Sequence, residues 1–209
     1  GEGMKIGEVE YTNLTDDFGY WTVEVKDIRT YLPINIANQP NTYNPFTGWN
    51  IADEVKEFME DVIRKVAIPE GEHLRSVVGW GNYYTKSRYT FHKFHHIPHI
   101  DGPGWVGNLW LSDHEEGSRG TQFYNYKDEW KEDNFTFTGA GELLKQIETT
   151  WKQWDTSDVE KYGFKYMGTA PAKKNTMTIY NSCVPHKAYI GENCNTSWSQ
   201  LVQVCKAFT

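Results

Sequence analysis

Only three cysteines occur in the 209 residues, Cys183, Cys194 and Cys205. The odd number and the lack of a C-x-x-C spacing suit the reduced thiols of a cytoplasmic protein better than a disulfide framework. Long apolar runs are also missing, and none approaches the ~20 residues of a membrane-spanning helix, so no membrane association is expected. Positive charge is in deficit: 21 Lys and Arg against 28 Asp and Glu give a formal net charge of -7 and a pI near 5.5. A surface that tracks phosphates needs the opposite balance, so nucleic acid is not an expected partner. There is no internal repeat, low-complexity tract or linker, and residues 4–209 are expected to form a single domain. Residues 1–3, before Met4, read as a tag remnant. The N-x-S/T triplets at Asn13, Asn134 and Asn195 carry no weight without a signal peptide.

Aromatic side chains, by contrast, are plentiful, with 9 Trp, 13 Tyr and 10 Phe. They can fill a core despite a mean hydropathy of -0.69. Between Ile51 and Val66 the apolar residues Ile51, Val55, Phe58, Met59, Val62, Ile63 and Val66 recur at spacings of three and four. Asn50 precedes them and Pro69 follows, which predicts an amphipathic helix capped by Asn50. Leu143, Leu144, Ile147, Trp151 and Trp154 repeat the pattern after Gly139 and Gly141 and predict a second helix. Elsewhere, stretches rich in Val, Ile, Thr, Tyr, Phe and Trp alternate with Gly, Pro, Asn and Asp. They predict strands at Leu74–Tyr84, Tyr89–Phe94, Trp105–Leu111, Thr121–Tyr126, Thr176–Asn181 and Ser199–Phe208. One helix followed by many strands, without a βαβ rhythm, indicates a mainly β sandwich or jelly roll with helices on an outer face.

The chemistry concentrates in Phe91-His92-Lys93-Phe94-His95-His96-Ile97-Pro98-His99-Ile100-Asp101-Gly102. In an extended segment residues two apart project to the same side, so His99 and Asp101 can offer an imidazole and a carboxylate to one point. A third ligand needs only to be brought close by the fold, and His186, in Val184-Pro185-His186 after a predicted strand, is the candidate. Two imidazoles and one carboxylate on one face of an octahedron leave three positions open. That arrangement suits non-haem Fe(II), where a cosubstrate and dioxygen must both reach the metal. His92, His95 and His96 are read as strand or turn residues, and Trp105, Trp110, Phe123 and Tyr124 as core or pocket walls.

With these residues in place, the stretch from about Tyr89 to Phe208 resembles the Fe(II)/2-oxoglutarate-dependent oxygenases, in particular the prolyl-hydroxylase-like branch. The pieces come in that family's order: an aromatic strand into Pro98-His99-Ile100-Asp101, a strand Asn108-Leu109-Trp110-Leu111-Ser112, an acidic turn, Gly120-Thr121-Gln122-Phe123-Tyr124, then Asn175 to Asn181, His186, and a last strand from Trp198. The resemblance implies a double-stranded β-helix, that is, a jelly roll with flanking helices. It implies Fe(II) held by His99, Asp101 and His186, and 2-oxoglutarate chelating the metal through its keto-acid end. It also implies oxidation of the cosubstrate to succinate by dioxygen, coupled to hydroxylation of a substrate C–H bond. Trp110, Gln122, Ser197 and Arg119 are the positions it brings to the cosubstrate. The substrate is a small molecule or a peptide, with prolyl and other peptidyl side chains among the options.

In one respect the chain departs from the family. The distal carboxylate of 2-oxoglutarate is usually held by an Arg or Lys about ten residues after the second histidine. Here the neighbourhood reads Cys194-Asn195-Thr196-Ser197-Trp198-Ser199, and Ser197 stands where the cation is expected. Trp110 likewise stands where relatives place a tyrosine, although its indole N–H can donate. Three alternatives remain open: a substitute cation, with Arg119, Arg88 and Lys187 as candidates; a cosubstrate that binds differently or is another keto acid; or a metal-binding module without turnover. The last, a non-catalytic jelly roll with a structural or vestigial metal site, is the main competing function.

Overall fold

A computed structural model describes residues 3–17, 20–26, 28–34, 48–49, 51–68, 70–72, 74–85, 98, 104–112, 118–126, 160, 164–182, 184–190 and 196–206. The chain is mainly β, with antiparallel sheets and few helices. Its elements are β1 (Met4–Ile6), β2 (Val9–Asp17), β3 (Tyr20–Val25), α1 (Ile28–Tyr31), β4 (Gly48–Trp49), α2 (Asp53–Val66), β5 (Leu74–Thr85), β6 (Gly104–Trp110), β7 (Arg119–Tyr126), β8 (Phe164–Pro171), β9 (Thr176–Asn181), β10 (His186–Ile190) and β11 (Thr196–Lys206). The predicted strand at Tyr89–Phe94 and the predicted helix around residues 143–154 lie outside the described residues.

The large sheet runs β1-β2-β3-β9-β6-β11-β5-β4 and the small one β10-β7-β8. From β6 onward the chain passes from the large sheet to the small (β7, β8), back to the large (β9), to the small (β10) and again to the large (β11). β6 and β9 are therefore central strands, and every residue of both is buried. Antiparallel strands covered on both faces lose the usual alternation of apolar and polar residues.

Helix α2 covers one face of the large sheet with Val55, Phe58, Met59, Val62 and Ile63, the stripe its spacing predicts. Its start differs from the expectation. The cap position is Ala52, in extended conformation and without a side-chain hydrogen bond, two residues after the expected Asn50, which lies outside the described residues. Asp53 and Glu54 in the first turn and Arg64 and Lys65 in the last complement the helix dipole. Arg64 adds an i,i+4 ion pair to Glu60 at 2.8 Å.

Two clusters of buried side chains result. Beneath α2, Val9, Tyr11, Val23, Val25 and Ile28 join the helix stripe, Trp105 and Leu109 of β6, and Met177 and Ile179 of β9. Gly107 lies in the same row, and a Cβ there would meet Met177 Cε and, at 2.9 Å, Ile63 Cδ1. The position is glycine because helix and strand approach too closely for a side chain. On the opposite face, Val106 of β6 and Tyr180 of β9 pack with Phe123, Ala170 and Val184 between the two sheets. The inner row of β6 is thus Val106, Asn108 and Trp110, and that of β9 is Thr176, Thr178 and Tyr180. No helix among the described residues is long and apolar enough to cross a membrane.

Candidate functional site

His186 is the first residue of β10 and 3% exposed. The turn before it is fastened at three points. Val184 N–H donates to Asn181 O at 3.0 Å, Ser182 N–H donates to Gly104 O at 3.0 Å, and Tyr124 N–H donates to Pro185 O at 2.8 Å. The bond to Gly104 matters for position. It sets the chain three residues after Asp101 beside the chain four residues before His186.

Nδ1 of His186 lies 2.6 Å from Val184 O. A carbonyl can only accept, so Nδ1 carries the proton, and in the neutral ring the lone pair sits on Nε2. Metal-ligating histidines are commonly oriented in this way, with one nitrogen donating to a carbonyl and the other turned to the ion. The imidazole also packs against Tyr180, with ring centroids 4.6 Å apart and planes tilted by 54°. Tyr180 in turn meets Phe123 edge-on at 5.4 Å.

His186 pairs with Phe123 across the β10–β7 ladder, Ala188 with Thr121, and Ile190 with Arg119. Directly opposed residues share a face, so Arg119 projects on the same side as His186, toward the large sheet. It is buried, and its guanidinium carbon lies 4.6 Å from the centre of the Trp110 ring. Its Nη1 donates to Gly120 O at 2.6 Å and to Tyr189 O at 3.0 Å. Trp110 donates its indole N–H to Thr178 Oγ1 at 3.0 Å. In this structure the indole is therefore a platform that orients Arg119, and its donor serves Thr178.

Gln122 and Lys187 oppose each other on the other face of the small sheet. There Gln122 Oε1 accepts from Tyr124 O–H at 3.1 Å, and Lys187 Nζ lies 6.0 Å from the Tyr124 ring centre. The structure separates this pair from His186 and Arg119 by the thickness of the sheet. Ser197 is placed by register alone, opposite Tyr84 and two residues before Ser199, which pairs with Trp110. His99, Asp101 and Arg88 lie outside the described residues. Among the described residues no three His, Cys, Asp or Glu side chains converge as metal ligands, and His186 is the one member of the expected triad that is placed. Its donor set suits a metal: a buried imidazole with Nδ1 engaged and Nε2 carrying the lone pair.

Sequence reasoning did not single out Asn108, Thr178 or Tyr180 as site residues. Asn108 pairs with Thr178, is 8% exposed, and has an Oδ1 without a hydrogen-bond partner among the described residues. The signal was available in β6 and β9: a polar residue in a strand covered on both sides has to face something.

No family model matches the chain, and no curated protein matches it. Among solved structures, it is similar to an N-substituted L-amino acid dioxygenase from Burkholderia ambifaria AMMD, with 9% identity and a TM-score of 0.40 over 73% of this chain and 66% of that one. The same enzyme in complex with alpha-KG gives 10% identity and a TM-score of 0.38 over 72% and 62%. The non-heme alpha-ketoglutarate-dependent carbocyclase SnoK from nogalamycin biosynthesis gives 9% identity and a TM-score of 0.34 over 65% and 50%. The matched part spans less than two thirds of each of those chains.

Proposed function

We propose that this chain is a cytoplasmic, single-domain hydroxylase of the Fe(II)- and 2-oxoglutarate-dependent kind, in its prolyl-hydroxylase-like branch. In this reading His99, Asp101 and His186 ligate the metal, and Arg119 takes the place of the cation missing at Ser197. The observation that carries it is the shared inward face of His186 and Arg119. They stand four ladder positions apart, about 13 Å along the strands, a span that a metal–ligand bond, a five-carbon diacid and an arginine side chain together cover. Lys187, the rival cation on the same strand as His186, points through the opposite face. The alternation of β6 to β11 between two antiparallel sheets supports a jelly roll, with the segment carrying His99 and Asp101 leading into β6.

Each residue then has a task. Val184 O engages Nδ1 of His186, and Nε2 would be the atom that holds the metal. Arg119, flattened on Trp110, presents a planar pair of donors to a carboxylate in a place with little water, where such a pair is strong. Fe(II), when bound, supplies the activation of dioxygen that the side chains cannot provide. The inward-facing Val106, Phe123 and Tyr180 exclude water from the end of the barrel near His186. The substrate is a small molecule or a peptidyl side chain such as prolyl.

Anaerobic titration of the Fe(II)-loaded protein with 2-oxoglutarate tests the reading through the weak visible charge-transfer band of a chelated keto acid. A band in the parent protein that disappears in His186→Ala is the expected result. Fe(II) binding without a band overturns it in favour of a keto-acid-independent oxygenase or a non-catalytic metal-binding module.

A further inference from the structure

We propose that Tyr180 is a positioning residue for His186, fixing the plane of the imidazole so that Nε2 is aimed before any metal arrives. The inference rests on the metal-ligand reading of His186 and adds a residue to it.

A histidine side chain turns about two bonds, and one hydrogen bond does not fix both. The Nδ1 contact to Val184 O at 2.6 Å sets which nitrogen carries the proton. That one bond does not by itself fix the plane of the ring, because carbonyl oxygens accept over a broad range of directions. Tyr180 restrains that plane. Its ring lies against the imidazole at 4.6 Å with a 54° tilt, closer than the 5.4 Å that separates it from Phe123. The three rings close a triangle. Tyr180 touches His186, Phe123 holds Tyr180 edge-on, and Phe123 and His186 are direct partners across the β7–β10 ladder. Tyr180 comes from the large sheet, opposite Val106, while the other two come from the small sheet. The triangle thus ties the imidazole to both sheets. All three residues are buried, so the rings cannot trade this packing for solvent. A ligand held in this way does not have to be ordered when the ion binds, and the entropy of ordering it does not weaken affinity.

The experiment compares Tyr180→Leu and Tyr180→Phe with the parent protein. Imidazole ¹⁵N spectra of the metal-free protein, with the His186 signals assigned by His186→Gln, report the tautomer. Co(II), used as the probe ion, reports affinity and, through its visible bands, coordination geometry. The parent is expected to show a single Nδ1–H tautomer and defined Co(II) bands. Tyr180→Phe keeps the ring and should retain both. Tyr180→Leu should show averaged tautomers, altered bands and a loss of Co(II) affinity of about 10- to 100-fold, the range for removing an orienting partner of a ligand. If Tyr180→Leu does not fold, Phe123→Leu, which removes the edge holding Tyr180, carries the same expectation. An unchanged tautomer and unchanged bands in a folded leucine variant, with the parent binding Co(II), overturn the positioning role alone. Failure of the parent to bind Co(II) at all overturns the metal reading and this role with it.

Discussion

The two faces of β6 obey different rules. Toward α2 it presents Trp105, Gly107 and Leu109, which meet Met177, Ile179 and the helix stripe in an apolar layer tight enough to require glycine at 107. Toward the small sheet it presents Val106, Asn108 and Trp110, and there the neighbours include Thr178, Arg119 and Tyr180, which in turn packs on His186. Both faces are equally buried, so burial does not separate them. What separates them is the cost each tolerates. A layer built only for stability has no use for a guanidinium and an unpartnered carboxamide oxygen, because desolvating such groups opposes folding. Polar groups held at that cost on one face of a fully covered strand mark the face selected for something besides stability.

Substitutions on the two faces should therefore separate stability from binding. The largest effect is expected under the helix. Ile63→Ala removes a fully buried side chain and should lower unfolding free energy by about 2–5 kcal/mol in urea titrations, while the folded fraction binds Fe(II) as before. Next comes Arg119→Leu on the inner face, which should weaken 2-oxoglutarate binding about 100-fold, roughly 3 kcal/mol, with Fe(II) affinity retained. A change under about threefold would move the assignment to Arg88. Gly107→Val places methyl groups against Met177 and Ile63, and overpacking should cost about 1–3 kcal/mol, read as a lower thermal midpoint. Asn108→Leu should be neutral or stabilising by up to about 1 kcal/mol, since it replaces an unsatisfied buried acceptor with an apolar group of similar volume. A clear destabilisation would show that the amide has a structural partner.

The smallest expected effect depends on pH. Burial, and then the nearby Asp61 carboxylate, push the Tyr11 phenol above its ordinary value. The folded state thus holds this proton more tightly than the unfolded chain does. The contribution is fully present below the unfolded pKa and is lost as pH rises through the folded one. Tyr11→Phe should flatten the alkaline limb of a stability–pH profile above about pH 10 and leave neutral pH unaffected.

Much of the framework was legible in the sequence. The α2 stripe, β5, β6, β7 and β9 lie within two residues of the segments predicted from periodicity and β-branched or aromatic content, and β11 within three. Other elements were not predicted. β2 reads Val-Glu-Tyr-Thr-Asn-Leu-Thr-Asp-Asp and β8 reads Phe-Lys-Tyr-Met-Gly-Thr-Ala-Pro. Neither carries a clean apolar alternation, and each is a strand because a neighbour offers a ladder. β10, His-Lys-Ala-Tyr-Ile, is of the same kind. The helix cap was misjudged because the backbone turns at Ala52, where extended φ and ψ end the approach.

For the candidate site, the sequence by itself determined the chemical vocabulary: a histidine after a strand, an earlier His-x-Asp, and three alternative cations. It could not rank those cations, because Arg119 and Lys187 are both positively charged at neutral pH and each adjoins a residue of the expected site, Lys187 following His186 and Arg119 preceding Gly120-Thr121-Gln122. Tertiary structure decided which way each of these two faces, through the register of β10 on β7. The register sends Arg119 inward with His186 and Lys187 outward with Gln122. Side-chain direction in a strand has a period of two, so a single step of register exchanges inside for outside. No local property of the chain encodes which of the two a residue will face.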